Sequence, residues 1–129
     1  MRFDKFTIKS QELIQNAQAQ ATRYHHQQLA PIHLLSAMLG EKKSVARSMF
    51  RKLGVSPDAV VQDTRAIIER LPKVTGTSEV YLADATKSVL EAAFEEAARM
   101  KDEYVSIEHI QRQGPSADPA EKHDAKILT

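Results

Sequence analysis

The sequence predicts an all-α fold, a bundle of helices around one core. Only 4 Gly and 5 Pro occur among 129 residues, and there is no Trp. The chain is instead rich in Ala, Gln, Glu, Lys and Leu, which favour helices. Its apolar residues recur three and four positions apart, which is the spacing of one helix face. A chain of this length is expected to form a single domain.

The most apolar stretch runs from residue 29 to residue 39 and predicts a short, buried helix. Pro31 lies in its first turn, where the amide proton that proline lacks would have no partner. A helix that is apolar on every side is stable only when other helices cover it. We therefore expect the rest of the chain to pack around this segment.

Helices are predicted on both sides of this segment. Thr7 is placed to cap a first helix that runs from about residue 8 to about residue 25. Ser44 is placed to cap a third helix. Ser56-Pro57-Asp58 combines a cap, a first-turn proline and an early acid, and it begins a fourth helix. Pro72 ends that fourth helix.

The second half of the chain begins with a polar linker and continues with two more helices. Residues 72–81 are mostly small and polar, which is typical of a linker. A fifth helix is expected from about residue 84 to about residue 100, and Ser106 is placed to cap a sixth. The apolar inner face of the fifth helix comprises Val89, Leu90, Ala93, Phe94 and Ala97.

The second half repeats the first with one constant offset. The shift that takes His33 to His109 also takes Arg23 to Arg99. The apolar positions of the first helix fall on those of the fifth under the same shift. Helical periodicity alone would match the apolar positions but not the His and Arg pairs. The pattern therefore indicates an internal duplication.

This agreement stops after Ile110. The first copy continues with apolar residues, whereas residues 111–115 read Gln-Arg-Gln-Gly-Pro. Residues 112–129 are polar and lack an apolar stripe, so they are predicted to be a disordered or non-family tail outside the native fold. A frameshifted or truncated reading frame would account for such a tail. The missing partner helices are expected to leave apolar residues of the fifth helix under-covered and the second copy looser than the first.

Charge and composition argue against several classes of protein. Lys and Arg number 18 and Asp and Glu 17, a net charge of +1. That balance provides no basic surface for nucleic acid or an acidic membrane. Without Cys there is no disulfide or thiolate chemistry. The start lacks the apolar run of a signal peptide, and no stretch approaches transmembrane length, so a cytoplasmic protein is expected.

Catalysis, metal binding and DNA binding have little support. The sequence contains no glycine-rich phosphate loop and no nucleophile or paired-carboxylate motif, so it does not predict an enzyme. A zinc site could be considered at His25, His26 and His33. Adjacent histidines point to different faces, however, and the sequence has no Cys to complete the ligand set. A helix-turn-helix around Gly40 is disfavoured because the next helix carries apolar residues and no basic stripe. We expect His33 and His109 to donate hydrogen bonds to nearby backbone instead.

Three segments resemble one known family. They are MRFDKFTIKSQE at the start, QQLAPIHLL at 27–35 and LPKVTG at 71–76. Together they resemble the N-terminal domain of the ClpB chaperones, which are AAA+ protein disaggregases, over residues 1 to about 110. The opening segment favours ClpB over ClpA and ClpC. The resemblance implies two pseudo-repeats: a four-helix first repeat at 1–71, a linker at 72–81, a truncated second repeat at 82–111 and a non-family tail at 112–129.

The resemblance also implies a binding role without catalysis. Such domains bind exposed segments of unfolded or aggregated protein and pass them to an ATP-driven ring. The implied substrate contacts are Thr7, Asp102 and Glu108, beside an apolar groove near Leu90, Ala92 and His109. Glu96 and His109 stand where relatives are often apolar. The implied partners are ATPase modules, which would bind ATP and are absent from this sequence, and a DnaK-type co-chaperone system; no cofactor or metal is implied within this chain.

The site residues and the function each have alternatives. Thr7 is a helix cap in any case, and Glu108 lies in the first turn of a helix, where the dipole favours an acid. An exposed ion pair contributes only about 0–1 kcal/mol. The alternative functions are docking of a folded adaptor, as in ClpA- or ClpC-type protease regulators, and a truncated fragment without function. Binding of an unfolded protein such as casein discriminates between the first two.

Overall fold

The computed structural model describes residues 2–41, 44–75 and 79–113. Its helices are α1 (Ile8–Arg23), α2 (Pro31–Leu39), α3 (Val45–Lys52), α4 (Pro57–Arg70), α5 (Asp84–Arg99) and α6 (Ile107–Arg112). A 3₁₀ helix at Phe3–Lys5 precedes α1, and two strands of two residues each, β1 (Gln28–Leu29) and β2 (Tyr81–Leu82), complete the described elements. The predicted all-α fold class is confirmed. Within these residue ranges, each helix is too short or too polar to cross a membrane.

Hydroxyl side chains cap the N-termini of four helices at the predicted positions. Thr7, Ser44, Ser56 and Ser106 each accept a hydrogen bond from the backbone N–H three residues later. Such a cap satisfies one of the amides that has no acceptor inside the helix. Because capping depends on a few consecutive residues, the helix starts follow from the sequence.

α2 lies at the centre of the bundle. It contacts α1, α3, α4 and α5. Its buried residues are Pro31, Ile32, His33, Leu34, Leu35, Met38 and Leu39. Each buried Leu or Ile contributes roughly 1.5–3 kcal/mol relative to an exposed one. The apolar segment therefore organises the bundle, as its composition predicted.

Two short parallel strand contacts join the halves of the chain. β1 precedes α2 and pairs with β2, which precedes α5, with Leu29 opposite Leu82. In the same way Phe6, before α1, pairs with Val105, before α6. The sequence predicted no strands and assigned Tyr81 to the linker. Strands of two residues are too short to show an alternating apolar pattern, so only the folded chain reveals them.

The offset between the repeats also relates two hydrogen bonds. Ser10 Oγ donates to the Val105 carbonyl at 2.9 Å, and Thr86 Oγ1 donates to the Leu29 carbonyl at 2.6 Å. The shift that takes His33 to His109 takes the first donor to the second donor, and the two acceptors are related in the same way. In each case the donor and the acceptor lie in opposite halves. Each half therefore completes the hydrogen bonding of the other.

The inner face of α5 is covered, contrary to part of the expectation. Leu90 and Ala93 are 0% exposed and Ala97 is 3% exposed, so the predicted lack of cover is wrong for these three residues. Val89 and Phe94 are half-buried. The cover on α5 comes from α6, which packs against it, and from α2.

The predicted tail begins inside the described structure. Arg112 is the last residue of α6 and Gln113 is its C-cap. The prediction of a disordered tail otherwise concerns residues 114–129, which lie outside the described residues.

Candidate functional site

A groove of about 620 Å³ lies between the start of α1 and the start of α6. Ile8 is 74% exposed and Tyr104 is 47% exposed, so apolar surface in the groove is open to solvent. Charged side chains accompany this apolar surface. The lining residues are Asp4, Phe6, Thr7, Ile8, Lys9, Gln11, Tyr104, Ser106, Ile107 and Glu108.

Backbone hydrogen bonds fix the two helix starts side by side. The Thr7 N–H donates to the Val105 carbonyl at 2.9 Å, and the Val105 N–H donates to the Lys5 carbonyl at 2.7 Å. Phe6, between them, is 1% exposed and forms the floor of the groove. The groove therefore depends on a contact between residues that are far apart in sequence.

The Thr7 hydroxyl is largely used within the fold. Its Oγ1 accepts from the Ser10 N–H at 3.1 Å and donates to Ser10 Oγ at 2.9 Å. A hydroxyl oxygen has two lone pairs, so one remains to accept a hydrogen bond from a ligand. Thr7 therefore acts mainly as a helix cap, and its hydroxyl can form a hydrogen bond with a ligand only as an acceptor.

Glu108 lies on the opposite wall of the groove, in the first turn of α6. Its side chain is exposed. The positive end of the helix dipole stabilises a carboxylate at this position. The structure thus brings Thr7 and Glu108, two of the predicted contact residues, into one groove.

Asp102 and His109 do not line this groove; they bond to each other. His109 Nε2 lies 2.9 Å from Asp102 Oδ2. The Ser106 N–H donates to His109 Nδ1 at 2.9 Å, so Nδ1 is an acceptor and the ring proton is on Nε2, which donates to the carboxylate. The predicted direction of the bond between His109 and the backbone was wrong. The ring accepts because amides at a helix start lack helical acceptors.

The first repeat has the same arrangement with a different residue facing the ring. The Ala30 N–H donates to His33 Nδ1 at 2.9 Å, which again corrects the predicted direction, and His33 Nε2 lies 2.9 Å from His26 Nδ1. His26 occupies the place that Asp102 has in the second repeat. Burial lowers the pKa of His33 to about 4, with a smaller contribution from His26. Burial likewise lowers the pKa of His26.

Leu90 and Ala92, the other predicted groove residues, lie on α5 and outside the groove lining. Leu90 belongs to the core and has no exposed surface. Ala92 is half-buried. A side chain without exposed surface contacts a bound segment only if the core opens around it.

Four apolar groove residues were missed in the sequence: Phe6, Ile8, Tyr104 and Ile107. Ile8 carried a signal, because it is a large apolar residue outside the inward stripe of its own helix. Tyr104 and Ile107 flank the start of α6. They join Ile8 only through the pairing of Phe6 with Val105.

Comparison with known proteins identifies the family. Residues 5–110 match the Clp repeat (R) N-terminal domain. The chain belongs to this family. The match includes every groove residue of this Clp N-domain except Asp4, and it ends at residue 110, inside α6.

Curated relatives of this Clp N-domain are ClpB chaperones. It is 41% identical over 110 residues to the chaperone protein ClpB of Porphyromonas gingivalis and 35% identical over 114 residues to that of Bacillus cereus. Each comparison covers 85% of this chain but 13% of the relative. The chain therefore spans a small N-terminal fraction of the curated relatives it matches.

Solved structures share the fold of this Clp N-domain. The Hsp104 N-terminal domain from Candida albicans has a TM-score of 0.77 at 21% identity, covering 84% of this chain and 72% of that one. The N-domain of ClpV from Vibrio cholerae has a TM-score of 0.74 at 15% identity, covering 98% and 86%. At these identities the likeness shows the fold alone.

Proposed function

We propose that this chain is the substrate-binding N-terminal module of a ClpB-type disaggregase. Exposed segments of unfolded or aggregated polypeptides would bind in the groove between α1 and α6. ATP-driven modules of the same protein would then receive them, in cooperation with a DnaK-type system in the cytoplasm. The identity to ClpB chaperones and the open apolar groove support this proposal.

The observation that carries the proposal is the exposed apolar surface of the groove. Ile8, Tyr104 and Ile107 form an apolar lining at the junction of two helices. Burial of apolar area is non-directional, so it stabilises many different client sequences. Exposed apolar surface of this kind commonly marks a binding site.

Polar groups at the groove edge complement this surface without demanding one sequence. Glu108 can accept hydrogen bonds from a client's backbone N–H groups or from basic side chains. Lys9 offers the opposite charge on the α1 side. Exposed pairs of this kind contribute only about 0–1 kcal/mol each. Binding is therefore expected to be weak and broad, as release to a translocating ring requires.

Binding of unfolded casein, measured by fluorescence anisotropy, tests the proposal. Ile8→Ser removes the most exposed apolar side chain of the groove and is expected to weaken binding roughly tenfold, because burying an Ile contributes about 1.5–3 kcal/mol. Val45→Ser is the matched control, since Val45 is 42% exposed on α3 and outside the groove. Equal affinities of the two variants would contradict the proposed groove.

The same measurement separates the alternative function. A wild-type chain that ignores casein but binds a folded adaptor tightly would be an adaptor-docking domain of a ClpA- or ClpC-type regulator. A chain that binds neither would be a fragment without this function.

A further inference from the structure

In the first repeat, two hydrogen bonds between neutral side chains connect α2 to α1 and to the segment that follows α1. His33 on α2 pairs with His26, which follows α1, at 2.9 Å. One turn further along α2, Ser36 Oγ accepts from Gln20 Nε2 on α1 at 2.8 Å. Burial keeps both histidines uncharged near neutral pH. None of these four groups therefore carries a charge under ordinary conditions.

In the second repeat, the equivalent contacts are made by carboxylates. Asp102 accepts from His109 on α6 at 2.9 Å, and Glu96 on α5 accepts from Arg112 at the end of α6. Under the offset between the repeats, Asp102 and Glu96 correspond to His26 and Gln20, and their partners correspond to the partners in the first repeat. Gln113 Nε2 donates to the second oxygen of Glu96. We name the bonds made by Asp102 and Glu96 the carboxylate contacts.

We infer that Asp102 and Glu96 are positioning residues, whose carboxylates hold α6 in place. Through α6 they set the positions of Ile107 and Glu108 in the groove, and neither touches a bound segment. The consequence for binding rests on the proposed function. The consequence for α6 itself does not.

The length and packing of α6 show why it needs these contacts. α6 has six residues, whereas its counterpart α2 has nine and also packs against α3 and α4. A helix of six residues is unstable without tertiary contacts. Hydrogen bonds to a carboxylate are roughly twice as strong as bonds between neutral groups. The carboxylate contacts thus compensate for a shorter helix with fewer neighbours.

The two carboxylates form hydrogen bonds with α6 near its two ends. Asp102 bonds to the first turn of α6, and Glu96 bonds to its last residue and to its C-cap. The Glu96 side chain is only 15% exposed, so its charge is partly removed from water and is satisfied by Arg112 and Gln113. Those two donors lie just beyond the residues that match the family, which end at 110.

High salt is expected to destabilise α6 of the second repeat more than α2 of the first. Screening shortens the Debye length from about 10 Å at about 0.1 M salt to about 3 Å at about 1 M. The ion pair between Glu96 and Arg112 should weaken over this range, whereas the neutral contacts of α2 should not. Amide hydrogen exchange of the full chain is therefore expected to become several-fold faster in α6, relative to α2, at high salt.

Substitutions test the same inference at single residues. Asp102→Asn and Glu96→Gln keep the shape and remove the charge. Each is expected to accelerate exchange of the α6 amides about three- to tenfold while the α2 amides are unaffected, because a tenfold change corresponds to about 1.4 kcal/mol. Glu91→Gln is the control, since Glu91 is an exposed carboxylate on the same helix. A charge swap, Glu96→Arg with Arg112→Glu, should restore the slow exchange that Glu96→Arg alone loses.

Casein affinity separates positioning from direct contact. If Asp102 positions α6, Asp102→Asn weakens casein binding and accelerates α6 exchange together. Weaker binding with unchanged α6 exchange would show direct contact and overturn the inference. Unchanged α6 exchange in both Asp102→Asn and Glu96→Gln would overturn it as well. If wild-type protein binds no casein, the proposed function fails, while the exchange measurement still decides the role of the carboxylates.

Discussion

At the scale of single residues, each half contains one buried histidine, and the side chain that bonds to its ring differs between the halves. His33 faces the neutral ring of His26, and His109 faces the carboxylate of Asp102. His26 is 4% exposed, whereas the Asp102 side chain is 46% exposed. The same backbone arrangement therefore holds two neutral buried rings together in one half, and in the other half a buried neutral ring and a partly exposed carboxylate.

Acidification is expected to destabilise the fold through His33. Its pKa is about 4 in the folded chain against 6.5 when unperturbed. Above pH 6.5 both states are neutral and His33 contributes nothing to the pH dependence. As the pH falls from 6.5 towards 4, the unfolded chain binds a proton that the folded chain does not, and the free energy of unfolding drops by about 3 kcal/mol. Urea unfolding at a series of pH values measures this drop.

Two variants isolate that effect. His33→Gln should flatten most of the profile between pH 6.5 and 4, whereas His25→Asn, at an exposed position, should keep the part due to His33 and change only the smaller part due to His26. His26, whose pKa is lowered by burial, Lys73 and His25, acts in the same direction and accounts for any remaining slope. A wild-type profile that is level over this range would contradict the assignment.

Removal of the Thr86 hydroxyl is expected to cost about 0.5–1.5 kcal/mol. Thr86→Val removes the 2.6 Å hydrogen bond to the buried Leu29 carbonyl, which keeps only the bond from the Ala83 N–H at 3.1 Å, so the expected loss is that of one buried hydrogen bond. Thr22→Val is the matched control, because the Thr22 hydroxyl bonds to the Gln18 carbonyl in an exposed part of α1. That change should stay within about 0.5 kcal/mol. Equal losses in urea unfolding would show that burial of the bond is irrelevant.

At the scale of elements, α1 and α5 end in the same way. His25 and Lys101 adopt left-handed conformations, with φ of 61° and 58°. The next amides, of His26 and Asp102, return to carbonyls in the last turn of each helix, at 2.8 Å in both cases. This is the Schellman arrangement, in which glycine is the usual left-handed residue. It ends α1 slightly before the predicted end, and it aims His26 and Asp102 at the following helix.

Lys101→Gly is therefore expected to stabilise the protein by about 0.5–1 kcal/mol. Glycine adopts the left-handed region without the steric cost that Lys101 bears. Gln18→Gly, in the exposed middle of α1, should do the opposite and destabilise by about 1 kcal/mol. Thermal unfolding of both variants checks the signs. A loss of stability in Lys101→Gly would mean that its side chain contributes more than its backbone costs.

At the scale of the whole molecule, the two halves are interlocked. Phe6 of the first half pairs with Val105 of the second, and β2 of the second pairs with β1 of the first. The donors Ser10 and Thr86 cross between halves in the same reciprocal way. The halves are therefore expected to unfold together.

Phe6→Ala is expected to destabilise the molecule by about 3–5 kcal/mol and to lower protection in both halves. Phe6 is 1% exposed and pairs with Val105, so its loss affects α6 as well as α1. Phe3→Ala is the control, because Phe3 lies beside Phe6 but is 41% exposed. Hydrogen exchange reports each helix separately. Loss of protection confined to α1 and α2 would show that the halves unfold independently.

The helices and their starts could be predicted because they depend on neighbouring residues. Thr7, Ser44, Ser56 and Ser106 cap the helices assigned to them. His33 and His109 were placed correctly in equivalent positions, but their hydrogen-bond direction required knowledge of which amide points at the ring. The strands were missed because two residues carry no periodicity.

The sequence by itself determined the helical fold class, the central apolar helix and the internal repeat, since helix periodicity, caps and duplication are written in local residue order. Only the tertiary structure decided that Ile8, Thr7 and Glu108 share a groove, that Leu90 is sealed in the core, and that Asp102 is engaged by His109. These facts depend on which distant segments pair, and the pairing of Phe6 with Val105 leaves no local pattern in the chain.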